Sequence, residues 1–384
     1  MIVDTDTIII CGVLTVLAAL AMTVNPLWRR LTSTAGIPDD GQTTDGSASP
    51  RLSVVMSVHD QAYDLERNLP TLLSQDYPAG YEVIVVDESS TDDTSDVLNR
   101  LRHQYPHLYT TFIPSSSHYL SRRKLALTLG VKAAKNDWLV FTDADCTPQS
   151  DQWLKHLALR CTEQTDIVMG YTAYENDTPL YWRFERLTNQ WRLLRHARQG
   201  TAYRYNGNSL VLRKSVFLKH NGFLNNLKYL RGEYDFMVNE YAQPGRTAVV
   251  VEPEARMVQT CPSKRAWVNR HLYYMETRRH LSRGGSYHAS ALLGSWALHL
   301  NYVAQLVALT GALVFRNWIV AAVAGLWLAV TYAVRALAAR RAFKATGEHL
   351  PCAWVPLLEL RAVWQYLLFR IRYAKADAYD FIRR

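Results

Sequence analysis

Cysteine is scarce in this chain and unpaired. The five cysteines, Cys11, Cys146, Cys161, Cys261 and Cys352, are odd in number and show no C-x-x-C spacing. That excludes a disulfide framework and a zinc knuckle and fits a reducing compartment. No repeat of fixed period is present, so a repeat array is excluded as well. A basic segment ahead of the first apolar run is also missing: Asp4 and Asp6 precede that run, and Arg29 and Arg30 follow it, the reverse of a cleaved signal peptide. General disorder is excluded by a composition 48% hydrophobic and 20% charged over 384 residues, enough for one large globular domain with accessory segments.

What the chain has instead is long apolar runs. From Ile8 to Trp28 no charge occurs, and about 20 such residues cross a bilayer core as a helix. The expectation is a retained anchor over residues 1–28, with its N-terminus outside and Arg29 inside. Ser290 to Phe315 and Trp318 to Ala339 are separated only by Arg316 and Asn317 and predict a membrane hairpin within residues 286–340. Arg278, Arg279 and Arg283 before it, and Arg335, Arg340, Arg341 and Lys344 at its close, place both ends on the cytoplasmic side. Core helices of a soluble protein are the alternative. Pro351 to Phe369 is apolar too, but Glu359 and Arg361 interrupt it, and each charge in hydrocarbon costs about 2.5–3.5 kcal/mol. An in-plane or docked helix with a basic tail is therefore expected over 341–384. The formal net charge of +9 suits an acidic partner such as nucleic acid, nucleotide phosphates or an anionic membrane face, among which charge alone does not choose; the partners expected from the motifs below do not include nucleic acid.

Residues 29–50, above all Thr32 to Pro50, are rich in Ser, Thr, Gly and Asp, the composition of a flexible linker. From Arg51 the pattern alternates. Apolar strands are expected at Leu52–Val58, Tyr81–Val86, Tyr109–Ile113 and Trp138–Thr142, with helices carrying Leu65, Leu69, Leu72 and Leu73, then Asp93–Tyr105 and Arg122–Ala134. Such alternation predicts an α/β domain over 51–285 with a mostly parallel sheet covered on both faces. Ligands of these sheets bind beyond the carboxyl ends of the strands.

Two acidic clusters fall at those ends. VIVVDESSTDDT puts Asp87 after one strand, and LVFTDADC puts Asp143 and Asp145 after another. Three carboxylates converging on one crevice repel unless something positive lies between them, and carboxylate oxygens favour Mg²⁺ or Mn²⁺ with positions left open for phosphate oxygens. The order of Asp87-containing SSTDDT loop, SRRKLALTLGVKAA and Asp143-Ala-Asp145 resembles the nucleotide-binding half of membrane-anchored bacterial family 2 glycosyltransferases with the GT-A (Rossmann-like) fold. The resemblance spans about Arg51 to His280.

It implies that Asp87 holds the base or ribose of a nucleotide-sugar donor, and that Lys124, with Arg122 or Arg123 near, meets the base or diphosphate. It further implies that Asp143 approaches the ribose beside the metal, and that Asp145 ligates the metal. Tyr205 to Lys214 resembles the segment leading towards the acceptor half, where Gly207 allows close backbone approach. Arg231 to Asn239 matches the place of the family's acidic pair, but Tyr234 occupies the second acidic position, leaving Glu233 and Asp235 as candidates for the base, with Asp235 preferred. Glu276 to His280 lies where processive members carry Gln-x-x-Arg-Trp. Arg279 keeps the arginine that would steady the leaving diphosphate, while Glu276 and His280 replace the glutamine and the tryptophan.

On this resemblance the chain is an inverting transferase, with a UDP-linked donor favoured, a membrane lipid or lipid-linked glycan as acceptor, and a multi-pass location in the bacterial inner membrane. Leu180 to Arg195 sets Phe184, Leu187, Trp191 and Leu194 on one helical face. That face either lies on the membrane or is buried against its own domain. Two other readings stand beside the main one: a haloacid-dehalogenase-type phosphatase with Asp143 as nucleophile, and a non-catalytic membrane scaffold derived from the same fold.

Overall fold

A computed structural model describes residues 4–34, 49–115, 121–377 and 380–381. In chain order, α1 (Thr5–Thr23) is followed by β1 (Leu52–Val58), α2 (Ala62–Leu73), β2 (Tyr81–Asp87), α3 (Thr94–Gln104), β3 (Leu108–Phe112), α4 (Arg122–Ala133) and β4 (Trp138–Phe141). Next come β5 (Cys146–Pro148), α5 (Trp153–Ala158), β6 (Ile167–Gly170), β7 (Thr172–Tyr174), α6 (Leu180–Gln199), β8 (Leu210–Arg213) and α7 (Lys214–Lys219). The rest are α8 (Glu233–Tyr241), β9 (Thr247–Val250), β10 (Met257–Gln259), α9 (Lys264–Thr277), α10 (Gly285–Val314), α11 (Trp318–Thr346) and α12 (Val355–Ala374). They fall into two compact units, residues 1–30 with 284–368 and residues 31–283 with 369–384.

In the larger unit a seven-stranded sheet runs β3-β2-β1-β4-β8-β6-β9. The first four strands are mutually parallel, as expected; β1 is buried along its whole length, whereas β3, Leu-Tyr-Thr-Thr-Phe at the sheet edge, is partly exposed. The direction changes at β8, which pairs antiparallel with both β4 and β6. Leu210–Arg213, read from the sequence as a path towards the acceptor half, is thus a central strand of the sheet. A second small sheet, β5-β10-β7, starts one residue after Asp145 and fixes the exit of that loop. Thr32 to Thr34 depart from the flexible linker expected over 29–50. Thr34 exchanges hydrogen bonds with Val249 of β9, both at 2.9 Å, and Ser33 Oγ accepts from the Val251 amide at 2.8 Å, so the sheet's β9 edge is covered. Residues 35–48 of that linker lie outside the described residues.

Helix α6 resolves the choice left open for its apolar face. Phe184, Leu187, Trp191 and Leu194 are all buried, and so are Arg183 and Arg186. Burial against its own unit is the outcome, because the helix packs on β7 and β9 and Arg186 finds buried acceptors in the Thr172 carbonyl, Asn208 and Gln259.

In the smaller unit, three helices among the described residues are long and apolar enough to cross a membrane: α1, α10 and α11. At 1.5 Å per residue they measure about 28, 45 and 43 Å, so α10 and α11 exceed the roughly 30 Å hydrocarbon core. The first run ends sooner than expected, at Thr23, and the third runs on beyond Ala339 to Thr346. Of the in-plane and docked alternatives for 351–369, Glu359 gives the helix a docked contact. Its carboxylate is buried and takes both prongs of the Arg335 guanidinium, at 2.6 and 2.8 Å, while Arg335 also donates to the Ala21 carbonyl. The charge is matched rather than exposed, which draws α12, α11 and the end of α1 together.

Removing one member of a buried pair leaves the other uncompensated, at a cost of about 3–5 kcal/mol, whereas replacing both by apolar residues is often neutral. We therefore expect Arg335→Met to lower the thermal midpoint of the detergent-solubilised protein sharply and Arg335→Met/Glu359→Leu to recover most of it. A double variant as unstable as the single one would contradict this account of the pair.

Candidate active site

The three parallel strands β2, β1 and β4 end in one row, and the acidic residues expected there are found there. Asp87 closes β2, and two strand spacings away, about 10 Å, Asp143 and Asp145 follow β4. Asp87 Oδ1 accepts from the Ser90 amide at 2.9 Å and the Ser90 hydroxyl at 2.6 Å. Asp92 spends its carboxylate on the amides of Ala62 and Thr94, so this member of the SSTDDT run shapes the loop. Asp60, unremarked in the sequence, accepts from the Thr91 amide at 2.7 Å and braces the same loop.

Asp143 is held from three directions. Arg123 forms an ion pair with its Oδ1, the Tyr234 hydroxyl approaches the same oxygen at 3.2 Å, and Asn208 Nδ2 donates to Oδ2 at 3.0 Å. Asp145 takes a hydrogen bond from Gln259 Nε2 at 2.7 Å. Burial, reinforced by the neighbouring Asp143 charge, pushes the Asp145 carboxyl above the ordinary carboxylate range. Asn208 and Gln259 are themselves positioned by one buried guanidinium: Arg186 donates to Asn208 Oδ1 at 3.2 Å and to Gln259 Oε1 at 3.3 Å. Arg186 therefore supports both carboxylates from behind. Only tertiary pairing shows where the Arg186 side chain ends.

The basic residues sort differently from the expectation. Arg123 reaches the crevice, whereas Lys124 is fully buried with its ammonium on the carbonyls of Asn226 and Tyr229, at 2.5 and 2.8 Å, and 5.0 Å from the centre of the Phe236 ring. Burial lowers its pKa to about 8. The assignment of Lys124 to a nucleotide base or diphosphate is thus corrected: it fastens the 226–229 loop. Arg122 donates to the Pro114 carbonyl at 3.0 Å. Arg279 donates to the Tyr373 hydroxyl at 3.1 Å, and Tyr373 in turn bonds Glu276. His280 stands 2.9 Å from Glu276 and stacks on Tyr229, so the partners of this motif are one another and the C-terminal segment rather than the carboxylates. The guanidinium near Asp145 is instead Arg270 of α9, which donates to Gln259 Oε1 at 3.3 Å and to the Tyr174 hydroxyl and acts electrostatically on Asp145. The sequence reading missed it.

Helix α8 presents the two base candidates on different sides. Gly232 precedes it at φ +93, a conformation suited to glycine, and a Cβ there would sit 2.7 Å from Thr277. The turn puts Glu233 in the first turn of the helix, where the helix dipole favours an anion, 3.8 Å from Arg123. Asp235 instead pairs with Arg204 at 3.2 Å, and Arg204 lies on the Tyr274 ring. Burial raises the Asp235 carboxyl to about 6, against the pull of Arg204.

Among the described residues no group of three or more His, Cys, Asp or Glu side chains forms a ready-made metal cage. Asp145 still fits a hard divalent cation that keeps most of its positions for water and phosphate: a carboxyl destabilised by its neighbour's charge is what such an ion relieves. The phosphatase reading is not supported, because Asp143 follows the fourth strand and is clamped by Arg123, Tyr234 and Asn208.

With this geometry in view, residues 53–219 match the family described as glycosyl transferase family 2. The chain is 28% identical over 37% of its length to glycosyltransferase AglE of Haloferax volcanii, covering 47% of that protein. It is 27% identical over 31% of its length to a poly(ribitol-phosphate) beta-glucosyltransferase of Bacillus spizizenii, covering 19% of that protein. The matches thus span less than half the length of these relatives. Among solved structures, the mannosyltransferase PcManGT from Pyrobaculum calidifontis, in complex with GDP-Man and Mn²⁺, superposes with a TM-score of 0.55 at 18% identity, covering 88% of this chain and 96% of that one. The fold is therefore GT-A, as expected.

Asp235 gives a pH signature. Its folded pKa lies above the ordinary value of 3.8, so the folded state binds more protons between about pH 4 and 6, and the stability that brings is lost as pH rises through that window. Relative to Asp235→Asn, the wild-type protein should lose on the order of 3 kcal/mol between pH 4 and pH 7. Melting curves at stepped pH that ran parallel for the two proteins would contradict this environment for Asp235.

Proposed function

We propose that this chain, whose residues 53–219 belong to glycosyl transferase family 2, moves a sugar from a nucleoside diphosphate sugar to an acceptor hydroxyl at the cytoplasmic face of a membrane. The observation that carries the reading is the Asp143 and Asp145 pair at the carboxyl end of β4, in the row begun by Asp87. Asp87 holds the nucleoside and Asp143 the ribose. Asp145 would hold Mn²⁺ or Mg²⁺, which when bound offsets charge on the diphosphate. Arg270, a guanidinium close to Asp145, takes the diphosphate-facing role assigned in the sequence to Lys124 and Arg279.

Glu233 is our base, in place of Asp235. It shares Arg123 with Asp143, each candidate keeps one buried carboxylate oxygen without a hydrogen-bond partner, and Asp235 is the one paired with Arg204 at 3.2 Å. The acceptor oxygen attacks the anomeric carbon, the carbon–oxygen bond to the diphosphate breaks with its electron pair leaving on the diphosphate, and the acceptor proton passes to Glu233. Attack opposite the leaving group inverts the centre. Binding both substrates in line supplies much of the remaining rate.

The membrane side of the proposal is supported by the three long apolar helices and by Arg29, Arg30, Arg278, Arg283, Arg340, Arg341 and Lys344 at their ends. A lipid or lipid-linked glycan acceptor in cell-surface glycan synthesis follows from that placement. UDP sugars are the donors favoured by the sequence resemblance. GDP-mannose is the second to try, because the PcManGT structure contains it.

With Mn²⁺ present, GDP or UDP at 100 times its Kd should stabilise the purified protein by about 2.7 kcal/mol. Asp145→Asn should lose the metal-dependent part. Glu233→Gln should keep nucleotide binding but cut nucleoside diphosphate release from the sugar donor by at least about 100-fold. If no nucleoside diphosphate stabilises the wild-type protein with either metal, the donor site is misassigned.

A further inference from the structure

Arg123 stands among several acidic groups. Its guanidinium pairs with Asp143, its Nε lies 3.8 Å from Glu233 Oε2, and Glu88 and Tyr234 act on it electrostatically as well. These groups come from three separate parts of the fold: Glu88 follows β2, Asp143 follows β4, and Glu233 and Tyr234 open α8. Arg123 Nε is buried without a hydrogen-bond partner and lies 3.8 Å from Glu233 Oε2, an ion pair that has not closed to hydrogen-bond distance. Arg231 and Lys124 also lie within electrostatic reach of this group, on Glu88 and Glu233 respectively, but Lys124 spends its ammonium on two carbonyls.

We propose that Arg123 is the internal cation of the crevice, a positioning residue shared by Asp143, Glu88 and Glu233 that offsets part of their charge and thereby holds Glu233 in place for the acceptor hydroxyl. This rests on the reading of Glu233 as the base and replaces the donor-phosphate role that adjacency to Lys124 suggested. A guanidinium suits the task because its planar fork offers donors in several directions at once, while an ammonium is a point charge. The nearest anionic neighbours are themselves fixed: Asp143 by Asn208 and Tyr234, and Glu233 by the Gly232 turn. Losing the cation therefore leaves carboxylates that cannot move apart.

Two measurements on the full-length protein in detergent test it. The first is thermal melting of Arg123→Gln, Arg123→Lys, Glu233→Gln and Arg123→Gln/Glu233→Gln. Arg123→Gln should melt well below wild type, Arg123→Lys in between, and the double variant above Arg123→Gln, because removing one carboxylate relieves the uncompensated repulsion. A double variant that melts lower still, by the sum of the two single losses, means that Arg123 is only packed there and overturns the proposal. The second is nucleoside diphosphate release from UDP-glucose and GDP-mannose with Mn²⁺. Arg123→Gln should lower kcat at least 30-fold while changing KM for the donor less than threefold. A raised KM at unchanged kcat makes Arg123 a donor-binding residue and overturns the positioning role. If Glu233→Gln turns over like wild type, the base assignment fails instead, and the melting series still decides whether Arg123 offsets the charge of the cluster.

Discussion

Negative charge gathered in one crevice is the constraint around which the larger unit is organised. Parallel strands that end in a row bring Asp87, Glu88, Asp143 and Asp145 to one edge, and α8 adds Glu233. Coulomb repulsion among such groups, at a few ångströms in a partly buried site, amounts to several kcal/mol, more than half the net stability of many domains. Two different devices answer it. On the Glu233 side the answer is covalently part of the chain, the Arg123 guanidinium. On the Asp145 side the neutral amide of Gln259 and the more distant Arg270 leave the carboxyl raised, which is why the proposed cation is assigned to that side. The crevice thus has one half with a guanidinium against its carboxylates, next to the base candidate, and one half that the chain's own side chains compensate less.

The same logic governs the membrane-helix unit with the opposite chemistry around it. There a single carboxylate, Glu359, meets a single guanidinium, Arg335, in two short hydrogen bonds and is shut away from solvent. In low-dielectric surroundings an unmatched charge is far more costly than in the crevice, and a bidentate pair is the geometry that matches it best. Arg335 further caps the Ala21 carbonyl near the end of α1, so one side chain ties three helices whose apolar surfaces alone would pack in several registers.

The alternation of apolar runs with leucine-rich periodic segments was enough to place β1 to β4 and the helices between them within a residue or so, because β1 and β4, buried on both faces, read as continuous apolar runs and the edge strand β3 takes its place from the alternation. The acidic residues were legible for the same reason: a carboxylate directly after such a strand lies at its open end. What could not be read was where long side chains finish. Arg122, Arg123 and Lys124 are consecutive on α4, and successive helical residues point about 100° apart, so only one of them can enter the crevice. Sequence gave no means of telling that Arg123 enters while Lys124 turns to the carbonyls of Asn226 and Tyr229, which are about a hundred residues further on. Arg186 and Arg270 were missed on the same ground. Each acts through an amide, Asn208 in the bend before β8 or Gln259 at the end of β10, and no spacing rule links them.

Tyr234 shows how a departure from a family pattern is absorbed. Placed where an acidic residue is expected, it directs its hydroxyl to Asp143 and its ring towards Phe141 at the end of β4. A carboxylate there would have added a further charge to a cluster that Arg123 offsets only in part, whereas a phenol adds a hydrogen-bond donor and burial keeps its proton on. The substitution thus lowers the negative charge on the face shared with Asp143 and leaves Glu233, one residue earlier and still paired across to Arg123, as the carboxylate best placed to respond when a substrate hydroxyl enters. The sequence departure and the compensated geometry are consequences of the same charge balance.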